Sequence, residues 1–286
     1  MGRLESSLEP SGWAFDGGDE SYVFTTVRWD PTLLSSEDNT RASCNRPSPF
    51  YMLEHHWTRL QVAKWHVSLA RSSPAELLTN LQSGVQQWHA RNPSETPESL
   101  RVKLRIYKDG KMSIELIPVD RIPLCRLFPT TFGSPASMEK PGWTAVLDDK
   151  GTEKGAATMY KTNERAMYER ARSVAGITSF YQTKEVLLWN TDDEVLDGSI
   201  STPYFWRNGR WITPASWSGG QQGTTRRWAL ERGLCVEDCV KRQEMNDGEI
   251  IYLSNAVRGY FPARYIAKSQ DSTLQSNEST QRHSTP

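Results

Sequence analysis

Lys161 sits between Met159-Tyr160 and Thr162-Asn163, at the predicted start of a helix. A lysine beside apolar groups can shed its charge and act as a nucleophile. A cation there also opposes the helix dipole, which weighs against a purely structural role; the alternative is a solvated lysine. Asp197, in Asp-Gly-Ser, is either a turn residue or a carboxylate able to pair with a ring nitrogen. Gly223-Thr224-Thr225-Arg226 follows Gly-Gly-Gln-Gln and opens a predicted helix. Free N–H groups and two hydroxyls at that point suit a phosphate, or else Thr simply caps the helix. Ser254-Asn255, at a strand end, suits an anion or a turn, and Arg59 suits an anion or solvent. Arg28 closes the first long strand; its planar fork could recognise a carboxylate, although a structural or surface role is the commoner use.

Two features suggest metal without supporting it. His55 and His56 are adjacent, so on a helix they point about 100° apart and do not chelate together; one is expected to pack and the other to face solvent. Cys235 and Cys239, in a helix-like stretch, have no second Cys or His pair beside them. No metal site is expected.

The elements that must position these residues follow from periodicity. Tyr22 to Trp29 reads as a buried strand. Glu54 to Ala70 is helical, with Trp57, Leu60, Ala63, Val67 and Ala70 on one stripe. A second helix starts at Ser73-Pro74, where Ser caps and Pro suits the first turn; its stripe is Leu77, Leu78, Leu81, Val85 and Trp88. Val102–Ile106 and Met112–Ile117 flank Asp109-Gly110 as a hairpin. Later come a helix over Thr162–Val174, a strand over Glu185–Trp189, and a hairpin around Asn208-Gly209. A helix over Thr224–Arg232 ends at Gly233, and Glu249–Leu253 is a strand. These elements divide the chain into a loosely ordered N-terminus over 1–20, a smaller α/β domain over 21–118, a connection over 119–152, a larger domain over 153–267 and a disordered tail over 268–286.

Composition sets the outer bounds. The 286 residues hold 34 Lys plus Arg against 34 Asp plus Glu, so no global field favours nucleic acid or an anionic membrane. The N-terminus lacks the apolar run of a signal peptide, and no stretch approaches a membrane span. Four scattered cysteines point to a reducing compartment, and the expectation is a soluble cytoplasmic protein.

The order of the motifs is more specific than any one of them. Lys161-Thr162-Asn163-Glu164-Arg165, then LLWNTDDEVLDGSISTPYFWRNGRWITP, GGQQGTTRRWALERG and IIYLSNAVRG, resembles the class IV aminotransferase and aminodeoxychorismate lyase superfamily over about residues 157–265. HHWTRLQ adds a weaker echo of that family's His-x-x-Arg-Leu helix. The resemblance implies a two-domain α/β fold of the D-amino-acid aminotransferase-like kind (fold type IV), a homodimer, and pyridoxal 5'-phosphate at the domain boundary. It implies that Lys161 carries the cofactor and shuttles the substrate proton. Arg59, Thr224, Thr225 and Ser254 would bind the phosphate, and Asp197 would face the pyridine nitrogen. Asp197 departs from the family's usual Glu by one methylene, and Thr224 replaces a usual apolar residue. The implied activity is elimination of pyruvate from an aminodeoxychorismate-type substrate to give 4-aminobenzoate. The alternatives are a class IV aminotransferase acting on a branched-chain, D-amino or amine substrate, and a non-catalytic member.

Overall fold

The computed structural model describes residues 21–62, 73–138 and 140–267, together with the backbone of Leu4–Ser6. Two sheets organise them. The first is antiparallel, in the order β1-β4-β3-β2, with β1 Leu4–Ser6, β2 Tyr22–Trp29, β3 Leu100–Tyr107 and β4 Met112–Pro118. Alternation gives it two unlike faces. Val23 and Val27 lie with Val102, Leu104, Ile106, Ile114 and Leu116 on the buried face. Against them pack α2 (Leu53–Val62) and α3 (Pro74–Arg91) through Leu60, Leu77, Leu81, Val85 and Trp88. Phe24, Arg101, Lys103, Arg105 and Glu115 occupy the opposite face, set by the same register. The Ser73 and Glu76 side chains close a capping box at the start of α3, as the Ser-Pro signal predicts.

The second sheet has eight strands in the order β10-β9-β8-β11-β12-β5-β6-β7. They are β5 Trp143–Leu147, β6 Lys184–Trp189, β7 Val195–Gly198, β8 Thr202–Arg207, β9 Arg210–Pro214, β10 Val236–Asp238, β11 Ile250–Asn255 and β12 Gly259–Tyr265. The parallel pair β5–β6 is joined through α5 (Ala156–Met159) and α6 (Ala166–Val174). α7 (Thr224–Glu231) precedes β10, and two short helices, α1 (Glu37–Arg41) and α4 (Leu124–Leu127), lie in the connections. Asn208 and Gly209, both at positive φ, close the β8–β9 hairpin.

The free edge of β2 meets the second half of the chain. Phe24 N donates to Lys161 O at 2.8 Å, Asn163 N to Tyr22 O at 3.1 Å, and Arg28 N to Ala256 O at 3.0 Å.

Several expectations need correction. Residues 162–165 are not helical: Thr162 bridges Val23, and the helix starts at Ala166, because β2 claims this backbone as a partner. Val236–Asp238, between Cys235 and Cys239, is a strand beside β9, not a helix. The stretch 119–152 contributes β5 to the larger sheet. The first helix is described from Leu53 to Val62, and its expected continuation to Ala70 lies outside the described residues. Leu4–Ser6 pair with β4, whereas the rest of the N-terminal twenty residues and the tail over 268–286 lie outside them.

Candidate active site

Lys161 lies on the extended segment between α5 and α6, its carbonyl held by the β2 edge. Its amine points toward Gln221 Oε1 at 3.5 Å and sits 5.1 Å from the centre of the Phe24 ring. Burial, then Arg165 and Arg59, push the amine well below the ordinary lysine range; Asp197 opposes them. Burial raises the Asp197 carboxyl to about 7, although Lys161 pulls it down. Such a pair can hold or pass a proton near neutral pH.

Asp197 is buried on β7. The turn after it is tied down by Glu185, which accepts from Ser199 N at 3.0 Å and Ile200 N at 3.3 Å. On the other flank, Gly220 packs directly onto β7. A Cβ there would stand 1.9 Å from Leu196 O and 3.3 Å from Asp197 Cβ, so this position tolerates no side chain.

Gly220 leads into the N-terminus of α7, which has no side-chain cap. Thr224 Oγ1 is buried without a hydrogen-bond partner. Thr225 Oγ1 shares a 2.8 Å hydrogen bond with Ser254 Oγ, which meets Tyr204 OH at 2.8 Å. Ser254 therefore supports Thr225 as well as lying near it. Asn255 takes the turn role instead, its Oδ1 accepting from Val257 N and Arg258 N.

Helix α2 reaches the same place. His55 Nδ1 lies 3.3 Å from Thr224 O, and Arg59 follows one turn later. Arg59 donates to Thr25 Oγ1 at 2.5 Å, while its buried Nε has no partner. Burial lowers this guanidinium to about 10, with Asp197 opposing. A buried arginine nitrogen, a buried hydroxyl and free helix N–H groups suit a dianion such as a phosphate. The two histidines depart from expectation, since both are buried. His56 Nδ1 pairs with Thr25 Oγ1 at 2.6 Å, and burial, then Arg59, hold the ring well below the usual imidazole range.

Arg28 is placed elsewhere. It is fully buried and pairs with Asp30 at 3.0 Å. It also donates to Val257 O, Ser99 Oγ and Asp120 O. With its nitrogens committed to these partners, the expected substrate carboxylate gives way to a structural network.

The motif reading missed Phe24, Lys103 and Arg165. Phe24 was read only as part of a strand; the Lys161-Thr162-Asn163-Glu164-Arg165 run contains Arg165 but says nothing of where its guanidinium points. Among the described residues no cluster of His, Cys, Asp and Glu could hold a metal ion, and no helix is long and apolar enough to cross a membrane.

The profile of the amino-transferase class IV family matches residues 23–266. A provisionally named aminodeoxychorismate lyase of Schizosaccharomyces pombe is 26% identical over 247 residues, covering 84% of this chain and 87% of the relative. The aminodeoxychorismate lyase of Saccharomyces cerevisiae is 24% identical, covering 73% of this chain and 66% of its own. A hypothetical aminotransferase from Mycobacterium tuberculosis, solved in its PLP-bound form, superposes with a TM-score of 0.59 at 17% identity, covering 91% of this chain and 87% of that one. The fold is the one shared by fold IV transaminases.

Proposed function

The chain belongs to the amino-transferase class IV family, and from that premise we propose that it is a pyridoxal-phosphate enzyme acting as an aminodeoxychorismate lyase. The observation that carries this reading is the Lys161 amine held between Gln221 Oε1 and the Phe24 ring, its basicity lowered by burial, with the Asp197 carboxyl raised to about 7. Two curated relatives bear the lyase name, and the more similar of them is covered over most of its length.

The residues present fit the cofactor. Arg59 Nε, Thr224 Oγ1 and the N–H groups opening α7 would hold the phosphate, with Thr225 braced by Ser254. Asp197 would keep the pyridine nitrogen protonated, and Lys161 would carry the cofactor. When bound, pyridoxal phosphate supplies an electron sink for a carbanion. With the cofactor bound, Lys161 would take the substrate proton at Nζ, for which its lowered basicity suits it. Gln221 orients that amine, and the Phe24 ring excludes water from one side of it.

Release of pyruvate from aminodeoxychorismate without any keto acid is the expected result, with 4-aminobenzoate as the aromatic product. Strict dependence on a keto acid would assign a transaminase instead. Borohydride reduction of the loaded protein followed by peptide mapping should place the label on Lys161. Lys161→Ala should lower turnover by about 10²-fold or more with the fold retained. A label on Lys184 would refute the assignment.

The remaining parts of the reading are proposed on the same footing. The two sheets support a smaller unit built on 21–118, with β1 added, and a larger one built on 153–267, with β5 added from the connection, and the cofactor at their junction. Four free cysteines support a reducing, cytoplasmic setting. The homodimer is proposed from family membership.

A further inference from the structure

Glu185 is a fully buried carboxylate on β6, the strand that pairs with β7. That pairing sets Leu188 opposite Asp197 and Leu187 opposite Gly198, which leaves Glu185 beside the turn where the chain departs from β7. Its Oε1 accepts from Val186 N at 3.0 Å, Ser199 N at 3.0 Å and Ser199 Oγ at 2.5 Å, and its Oε2 accepts from Ile200 N at 3.3 Å. Ser199 is held from two further sides. Arg172 donates to its Oγ at 3.2 Å and Arg165 to its carbonyl at 2.8 Å.

Gly198 makes this approach possible. A Cβ there would stand 3.2 Å from Glu185 Cδ and 2.4 Å from Ser201 O, so a side chain would drive the carboxylate and the turn apart. The Glu185 side chain therefore lies against the backbone of the residue that follows Asp197.

A turn that only had to close could take its acceptors from a serine or an asparagine, with far less desolvation. The charge of Glu185 also acts on Asp197 and makes that carboxyl harder to ionise. The other groups facing Asp197 are the cations Lys161, Arg59 and Arg165 and the buried phenols Tyr168 and Tyr204. For stability alone, a second buried carboxylate beside Asp197 is unfavourable. It becomes favourable when a proton is to be kept in front of Asp197, which is the task of a carboxyl that partners a ring nitrogen. Position matters as well. An aspartate has two side-chain torsions, so the backbone decides where its carboxyl ends.

We propose that Glu185 is a positioning residue for the reaction: by holding the turn over Gly198, Ser199 and Ile200 from behind, it keeps the Asp197 carboxyl on the ring nitrogen of the cofactor and that nitrogen protonated. This rests on the Asp197 reading above but not on the reaction being an elimination.

The test loads the protein with PLP isotopically labelled at the ring nitrogen and reads that atom by NMR, which separates pyridinium from neutral pyridine. The wild type should give the pyridinium resonance and Asp197→Asn the neutral one. Glu185→Gln removes the charge and sets an amide NH2 among N–H donors. It should move the resonance most of the way to that of Asp197→Asn, with PLP content unchanged. Glu185→Asp, which keeps the charge, should move it less. A Glu185→Gln protein that melts lower but keeps the wild-type resonance would overturn the proposal, because it would leave Glu185 with a purely structural role. Loss of PLP from that variant would overturn it too, by assigning Glu185 to cofactor retention. If Glu185→Gln does not fold, Ser199→Ala carries the test, since it deletes one donor to Oε1. A wild-type resonance in Ser199→Ala then overturns the proposal. A wild type that already matches Asp197→Asn would sink the Asp197 reading and this proposal with it, whereas failure in the Glu185 variants alone leaves that reading standing.

Discussion

Asp197 carries an uncommon electrostatic load for a carboxylate. Burial raises it from 3.8 to about 7, so the folded chain binds this proton more tightly than the unfolded one. The stability tied to that proton is intact below pH 3.8, falls as pH rises toward 7, and is gone above it. In the cofactor-free protein, Asp197→Asn should therefore raise the melting temperature by several degrees at pH 8 and by little at pH 4. Equal gains at both values would show that Asp197 is not buried as an anion. In the loaded enzyme the same change should slow turnover sharply while PLP stays bound, because the ring nitrogen would lose its charged partner.

At the scale of elements, the site depends on how closely α7 and its leading loop press on β7. Gly220→Ala would put a methyl 1.9 Å from Leu196 O, a backbone atom that cannot swing aside. The loop must then lift away from Asp197. PLP stoichiometry after dialysis should fall below that of the wild type; full retention would mean that the loop does not position the cup. Thr225→Ala breaks the bridge to Ser254 and removes one hydroxyl from the α7 terminus. It should weaken PLP binding by about tenfold, the size of one charge-assisted hydrogen bond. Fluorescence titration with PLP measures this, and unchanged affinity would leave Thr225 with only a backbone role.

Across the whole molecule, β2 joins the two sheets. One of its faces turns to Arg59 and the other carries Phe24, while its edge bonds to Lys161 and Ala256. Arg28 locks the far end of this strand to Asp30, Ser99, Asp120 and Val257. Removing one partner of a buried pair leaves an uncompensated charge, so Arg28→Ala should cost about 3–5 kcal/mol in denaturant unfolding. A loss below about 1 kcal/mol, the range of exposed ion pairs, would mean the network is dispensable. A cofactor bridging α2 and α7 should in turn stabilise the assembly, by about 2.7 kcal/mol at a hundred times its Kd.

Short-range signals determined much of this molecule without tertiary help. The hairpins at Asp109-Gly110 and Asn208-Gly209, the Ser73 capping box and the Gly233 stop are local, because each depends on φ preferences or bonds within a few residues. The order of the Lys161, Asp197, Gly223 and Ser254 motifs was equally legible along the chain. Long-range contacts decided the rest. Residues 162–165 look helical by composition and are not, because the β2 edge offers Lys161, Thr162 and Asn163 hydrogen bonds that a helix would forgo. Strand alternation places Arg28 and Lys103 on definite faces, but only the fold shows that Arg28 is spent on Asp30 while Glu115, opposite Lys103, bonds to Arg101 and Arg105 instead. The same pattern of side chains along a strand can end in either state, because charge pairing is set by what other segments bring within a few ångströms.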